Sequence, residues 1–322
     1  MCVCLTGGQK PAIKESTWEL SMQERIILTN LYPPHMHYES LRMSFESGGY
    51  RLVCFADGPD RLLTYAGPAA AQFIFNYPMN EALVEAVLHR KDAGQPYVVM
   101  MDDPLAFFDV NINRLIVPVL QQAARVYTST DNMLPVYAAI GVRASLLIGL
   151  ANPLFDCPEP TDEAGMRYDW GFIGGLYPQR FRFFWQLERL LPDLSYSIVT
   201  SGFDHQAVIR RIRETRVNIA YGNFSDISDF RSNGTTLRAW EFPYAGAFIL
   251  HDDRPLLTDF FVEGESIVTF RTVEECAELI RRYVALPDKR RWIAQNARAI
   301  IDRRRMLDFF PQVYGEILGH DR

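Results

Sequence analysis

The stretch Gly234–Phe261, "GTTLRAWEFPYAGAFILHDDRPLLTDFF", decides how the rest of the chain is read. It opens on a small polar run, carries Arg238 and Glu241 three residues apart, and passes through Gly246 into the apolar run "AFILHD". Asn233, Gly234, Thr235 and Thr236 have the composition of a helix cap, because short polar side chains satisfy the free N–H groups of a first turn. A helix is therefore expected from about Leu237 to Gly246, its end lying close to a buried strand. The spacing puts Arg238 and Glu241 on one helical face, where an ion pair within the helix is worth about 0.2–0.5 kcal/mol. A second reading stays open, in which Thr235 and Thr236 hold a diphosphate and Glu241 accepts hydrogen bonds from ribose hydroxyls.

On both sides of this stretch, short apolar runs alternate with helical patterns. "WGFIGGL", "SYSIVTSG", "VNIAYGN" and "SIVTF" read as strands, and "QRFRFFWQLERLL", "HQAVIRRIRET", "VEECAELIRRYVAL" and "KRRWIAQNARAIIDRRRM" as helices. Before residue 150 the runs "RIILTN", "RLVCFA", "AQFIFNY", "YVVMMDD", "RVYTST" and "ASLLIGL" repeat the theme. Runs this short, rich in branched and aromatic residues and without strict alternation, suit strands covered on both faces. Strand, helix, strand order implies parallel sheets. The expected fold is α/β, with two Rossmann-like parallel-sheet domains facing a cleft. Residues 1–22 read as a loose leader, 23–150 as the first domain, 151–168 as a proline-rich acidic hinge, and 169–322 as the second domain, whose last helix is expected to cross back.

The 322 residues suit two domains, and 48% hydrophobic with 22% charged residues is an ordinary globular composition. A net charge of −6, spread over both halves, argues against a general polyanion binder. Five scattered cysteines without a C-x-x-C pair indicate neither a disulfide framework nor a zinc site. The N-terminal text lacks a secretion signal and no run is apolar enough to span a bilayer, so a cytoplasmic protein is expected, with peripheral membrane contact left open.

In open parallel sheets ligands lie beyond the carboxyl ends of the strands, so residues just after each strand matter most. "FIGGLYPQR" places Gly174 and Gly175 in a turn and Arg180 in the helix that follows, an arrangement suited to a phosphate. The spacing is not G-x-G-x-x-G, which argues against a dinucleotide-dependent dehydrogenase.

With these residues in view, the chain resembles the GT-B glycosyltransferases, and is most similar to the spore-maturation-protein-B-like group with a glycosyltransferase group 1 type C-terminal domain. The matching text is "YDWGFIGGLYPQRFRFFWQL" and "TLRAWEFPYAGAFILHDDRPLLTDFFVEGESIVTFRTVEECAELIRRYVALPDKRRWIAQNARAII". In the first domain "PYVVMMDDPLAFF" is similar to the family's acidic strand end. The resemblance implies transfer of a hexosyl-type sugar from a nucleotide diphosphate sugar, such as a UDP-sugar, held by the second domain. It places Gly174, Gly175 and Arg180 on one phosphate-facing turn, Thr235, Thr236 and Arg238 on a second, and Glu241 on the donor ribose. Asn233 and Gly234 complete the expected donor set. Many retaining members carry a second glutamate where this chain has Asn233, so the stereochemical course, retaining or inverting, stays open, as does a catalytically silent binding module.

Sugar transfer needs neutralisation of the departing diphosphate and, for inversion, a base. Arg180 and Arg238 suit the first task; His35, with His37 beside it, and Asp103, after Asp102, are candidates for the second. "HDD" at His251–Asp253 has the residue types of a cation site, but the resemblance implies that side chains and helix ends meet the diphosphate, so no metal or other cofactor is expected. The nine Lys and Arg between Arg281 and Arg305 read as a solvated helix face, with an anionic lipid or nucleic-acid acceptor as alternatives to a glycan or protein one.

Overall fold

The computed structural model describes residues 25–30, 38–54, 71–75, 80–101, 110–159, 161–201, 204–222 and 235–319. Of the candidate residues, His35, Asp103, Asn233 and Gly234 lie outside these, as do His37 and Asp102.

The first sheet uses the six apolar runs before residue 150: β1 (Arg25–Thr29), β2 (Tyr50–Cys54), β3 (Ala71–Phe75), β4 (Tyr97–Met101), β5 (Arg125–Thr128) and β6 (Ala144–Leu146). They pair in parallel in the order β2-β1-β3-β4-β5-β6. Every residue of β3 is buried, as a central strand covered on both faces requires. Helices α1 (Tyr38–Ser47), α2 (Glu81–Asp92), α3 (Val110–Gln122) and α4 (Leu134–Ala139) complete this unit.

The second sheet comprises β7 (Tyr168–Ile173), β8 (Tyr196–Val199), β9 (Thr215–Ala220), β10 (Ile249–Asp252) and β11 (Val268–Phe270), in the order β11-β10-β9-β7-β8. All its pairings are parallel as well. Its helices are α5 (Pro178–Leu190), α6 (His205–Arg213), α7 (Arg238–Tyr244), α8 (Val273–Val284) and α9 (Pro287–Ile301). The basic text after Lys289 does not run on as one helix. It stops at Ile301, turns, and restarts as α10 (Met306–Leu318).

Helix α10 packs on the first sheet. Phe310 meets Phe45 and Phe73 at ring separations of 5.6 and 5.3 Å, and the Tyr314 hydroxyl donates to the Gln72 carbonyl at 2.7 Å. The chain thus passes between the sheets twice, and the two passages are bonded to each other. Ala151 N–H donates to Arg304 O at 2.8 Å, and Met306 N–H donates to Ala151 O at 3.0 Å. The acidic segment after Ala151 is tied to the second unit by arginines: Arg298 reaches Asp156 and the Cys157 carbonyl, while Arg216 and Arg290 hold Glu163. Among the described residues no helix is long and apolar enough to cross a membrane.

Each sheet has one place where consecutive connections leave in opposite directions, and that is where a crevice opens. In the first sheet it lies between β1 and β3; in the second, between β7 and β9. Both places are bridged by a side chain. The Asn30 amide donates to Phe75 O at 2.7 Å and accepts from Phe75 N–H at 2.8 Å. Arg180 makes the corresponding bridge in the second sheet.

Candidate active site

β7 ends at Ile173, and the chain turns away through Gly174 at φ +144°. A Cβ here would lie 2.0 Å from Arg238 Nη2, so the absent side chain is what admits the guanidinium. Arg238 Nε donates to Ile173 O at 2.5 Å, which anchors the first residue of α7 to the end of β7. Arg180, in the first turn of α5, donates from Nη1 to Gly175 O at 2.9 Å and from Nε to Tyr221 O at 3.0 Å. It therefore spans the ends of β7 and β9.

Both guanidiniums lie over one ring: Phe172 is 5.2 Å from Arg180 Cζ and 5.1 Å from Arg238 Cζ. Such contacts favour a cation, at about 0.5–2 kcal/mol each. Burial opposes them. It lowers the pKa of Arg180, and burial together with the neighbouring Arg180 charge pushes Arg238 down to about 10. Both stay charged at neutral pH, and two like charges at one strand end gain from any anion placed between them.

Thr236 leads into α7 and is fixed by His251, which is fully buried on β10. The Thr236 N–H donates to His251 Nε2 at 3.3 Å, and its hydroxyl lies 3.0 Å from the same nitrogen. An Nε2 that accepts a backbone N–H carries no proton, so the ring proton belongs on Nδ1, which faces Asp252 O at 2.7 Å and Asp252 Oδ1 at 3.1 Å. Asp252 Oδ1 also accepts the Gly222 N–H at 3.1 Å, and Arg254 closes on Oδ2 through Nε at 2.8 Å and Nη2 at 2.7 Å. Burial raises the Asp252 pKa, but hydrogen bonds from His251 and Arg254 and the charge of Arg254 outweigh it and hold the carboxyl at about 2. Asp253 faces elsewhere, taking Arg271 at 2.8 Å. The three side chains of "HDD" thus have different partners: Thr236, Arg254 and Arg271.

Thr235 accepts from the Trp240 indole N–H at 2.7 Å. One turn further on, Glu241 is buried and its Oε1 receives Asn152 Nδ2 at 3.4 Å. Arg238, at the start of α7, thus bonds to the sheet and Glu241, at its middle, to the segment after the first domain passage, while the two charges attract each other. Of the expected residues, Gly174, Gly175, Arg180 and Arg238 meet at the β7 end. Thr235 and Thr236 lie beside it on the approach to α7, and Glu241 stands on the domain-connecting side.

Sequence reasoning did not single out Phe172, Tyr221, Gly222 or Arg254, and took His251 only as a cation ligand. A histidine inside the otherwise apolar "AFILHD" was the signal available: a fully covered imidazole needs partners for both nitrogens.

Residues 180–308 match a family model described as "Glycosyl transferase-like". Among solved structures, sucrose-phosphate synthase from Thermosynechococcus elongatus aligns at TM-score 0.62 and 11% identity, over 92% of this chain and 100% of that one. An α-glucosyltransferase solved with UDP and a 13-mer DNA containing an HMU base aligns at TM-score 0.65 and 12% identity, again over 92% and 100%. Anabaena Alr3699/HepE in complex with UDP-glucose aligns at TM-score 0.55 and 13% identity, over 92% and 99%. No curated protein matches the chain in sequence. At these identities the likeness is one of fold: two Rossmann-like parallel-sheet domains in the GT-B arrangement.

Proposed function

We propose that this chain is a glycosyltransferase that takes its sugar from a nucleotide diphosphate donor bound at the β7 end of the second domain. The observation that carries the proposal is the pair of guanidiniums, Arg180 and Arg238, converging over Phe172 beside a glycine turn at the sheet's crevice. Among the described residues neither guanidinium forms a salt bridge; a diphosphate would supply that anion, and its charge grows as the sugar departs. UDP and UDP-glucose, bound in the structures similar in fold, are the first donors to try.

In this reading Gly174 and Gly175 let the backbone approach the diphosphate, and Thr235 and Thr236 with Asn233 and Gly234 line its other side. Glu241 takes the ribose hydroxyls. The acceptor binds on the first domain, and His35 or Asp103 removes its proton if the reaction inverts. The diphosphate is met by arginine rather than by a metal. Assignment to the spore-maturation-protein-B-like group belongs to the same proposal and rests on "TLRAWEFPYAGAFILHDD".

A thermal-shift screen of nucleoside diphosphates and nucleotide sugars tests it, because a ligand that binds only the folded chain raises its melting temperature. A rise with one diphosphate and not with its monophosphate is expected; no shift with any member contradicts the proposal.

A further inference from the structure

Helix α5 starts beside the glycine turn and carries on its outer face three aromatic rings that the fold leaves in solvent. Tyr177 immediately precedes it at 50% exposure, and Phe181 and Trp185 follow at 59% and 49%. Spaced four residues apart, they form one stripe about 12 Å long at 1.5 Å per residue. Phe181 is the most exposed of the large apolar side chains in the described residues and has no polar atom with which to justify that position. The opposite face of α5 is packed: Phe183, Phe184 and Leu187 are buried in the core of the second domain.

The stripe is bordered by cations. Arg182 and Arg189 are exposed on the same helix, and Arg189 lies over the Trp185 ring at 4.8 Å. At the far end of α5 Arg281 of α8 donates to Leu190 O at 3.2 Å. The exposed acid beside the stripe on α5, Glu188, receives the Tyr196 hydroxyl, and Asp193 beyond the helix pairs with Arg281. In a chain of net charge −6, the stripe is flanked by two exposed arginines, Arg182 and Arg189, against one glutamate, Glu188.

We infer that this face docks on the surface of an anionic membrane, with Phe181 and Trp185 entering the interface and Arg182 and Arg189 meeting lipid phosphates. Aromatic rings with a cation stacked on them are suited to the boundary between acyl chains and headgroups, where one part of the group is apolar and the other wet. Each basic residue near such a surface adds to the attraction. A second copy of this chain is disfavoured as occupant, because a twofold contact would bring Arg182 and Arg189 towards their own copies. Docked in this way, Tyr177 and the glycine turn lie at headgroup level, which favours an acceptor carried by a lipid. That consequence for the acceptor rests on the transferase proposal; the docking does not.

The test is sedimentation of the full chain with vesicles of phosphatidylcholine, with and without phosphatidylglycerol. The wild type is expected to sediment with the anionic vesicles only. Phe181→Glu and Trp185→Glu should each lower the partition coefficient about tenfold. The milder Phe181→Ser should act in the same direction, and all three should melt as the wild type does because both positions are exposed. Arg182→Glu with Arg189→Glu should remove the response to phosphatidylglycerol. Absence of sedimentation with either vesicle, or equal sedimentation of wild type and Phe181→Glu, overturns the inference. It is overturned equally by a wild-type dimer that Phe181→Glu dissociates, or by an oligonucleotide that binds through Phe181 and Trp185 while vesicles do not. UDP binding measured on the same variants should be unchanged, so a failed docking and a failed donor site give different results.

Discussion

Trp240 lies against the backbone of Gly149, so closely that a Cβ on the glycine would stand 1.9 Å from the indole. Gly149 belongs to the first passage between domains and has φ +68°; Trp240 belongs to α7, the helix that begins with Arg238. Arg304, on the second passage, donates to Gly149 O at 3.1 Å and Ile148 O at 2.9 Å, and stacks 5.7 Å over the same indole. The candidate donor helix and both connecting passages therefore meet at one ring.

Gly149→Ala should be destabilising by about 2–5 kcal/mol, combining an unfavourable left-handed backbone with a core clash. Urea denaturation measures it. In a double-mutant cycle with Trp240→Ala the two losses should fall short of additivity, since removing the ring removes the clash.

Arg304→Ala should remove two charge-assisted hydrogen bonds, a loss of about 1.5–3 kcal/mol for each at the upper limit, partly recovered by water. The result to look for is a lowered denaturation midpoint together with faster proteolysis at the domain passages. Unchanged values on both counts would mean that the passages are held by packing alone.

Asp252 has a predictable pH signature. Its carboxyl is held at about 2 against an ordinary 3.8, so its contribution is fully present above pH 3.8 and disappears as pH falls through 2. The difference corresponds to about 2 kcal/mol at neutral pH. Asp252→Asn should lose at least that much at pH 7, and its deficit relative to wild type should narrow between pH 4 and 2. A deficit independent of pH would show that the lost packing, rather than the charge, matters.

His251→Asn keeps an N–H donor near Asp252 but removes the acceptor of the Thr236 N–H, leaving that group short of a partner. The expected loss is about 1–3 kcal/mol in chemical denaturation, with weaker nucleotide binding because the approach to α7 loosens. Stability and binding both equal to wild type would remove His251 from the account.

The sheets were legible because buried parallel strands leave short apolar runs, and all eleven runs read as strands are strands. The end of α7 was legible for a similar local reason, since Gly246 has φ +78°. Partners remote in sequence were not legible. Arg238 and Glu241 attract each other as their helical spacing suggests, but the hydrogen bonds of Arg238 to the Ile173 carbonyl and of Glu241 to Asn152 join residues far apart in sequence. The basic run after Arg281 was read as one solvated face, and this needs correction. Arg290 is buried with Glu163, Arg298 reaches the Cys157 carbonyl and Arg304 secures Gly149, while Arg281, Arg282 and Arg291 remain exposed. Each buried guanidinium is directed by a carbonyl or carboxylate that only the folded chain brings near. His35, Asp103, Asn233 and Gly234 lie outside the described residues, so their part in the site rests on the sequence.

Titration calorimetry of UDP into the wild type and Arg238→Ala tests the central claim most directly. The account predicts saturable binding by the wild type and at least about tenfold weaker binding by the folded variant, the value of one lost charge-assisted contact, with a lowered melting temperature because the bond from Arg238 to Ile173 O is lost as well. Equal affinity for both proteins would contradict it, as would a folded wild type that takes up no nucleoside diphosphate.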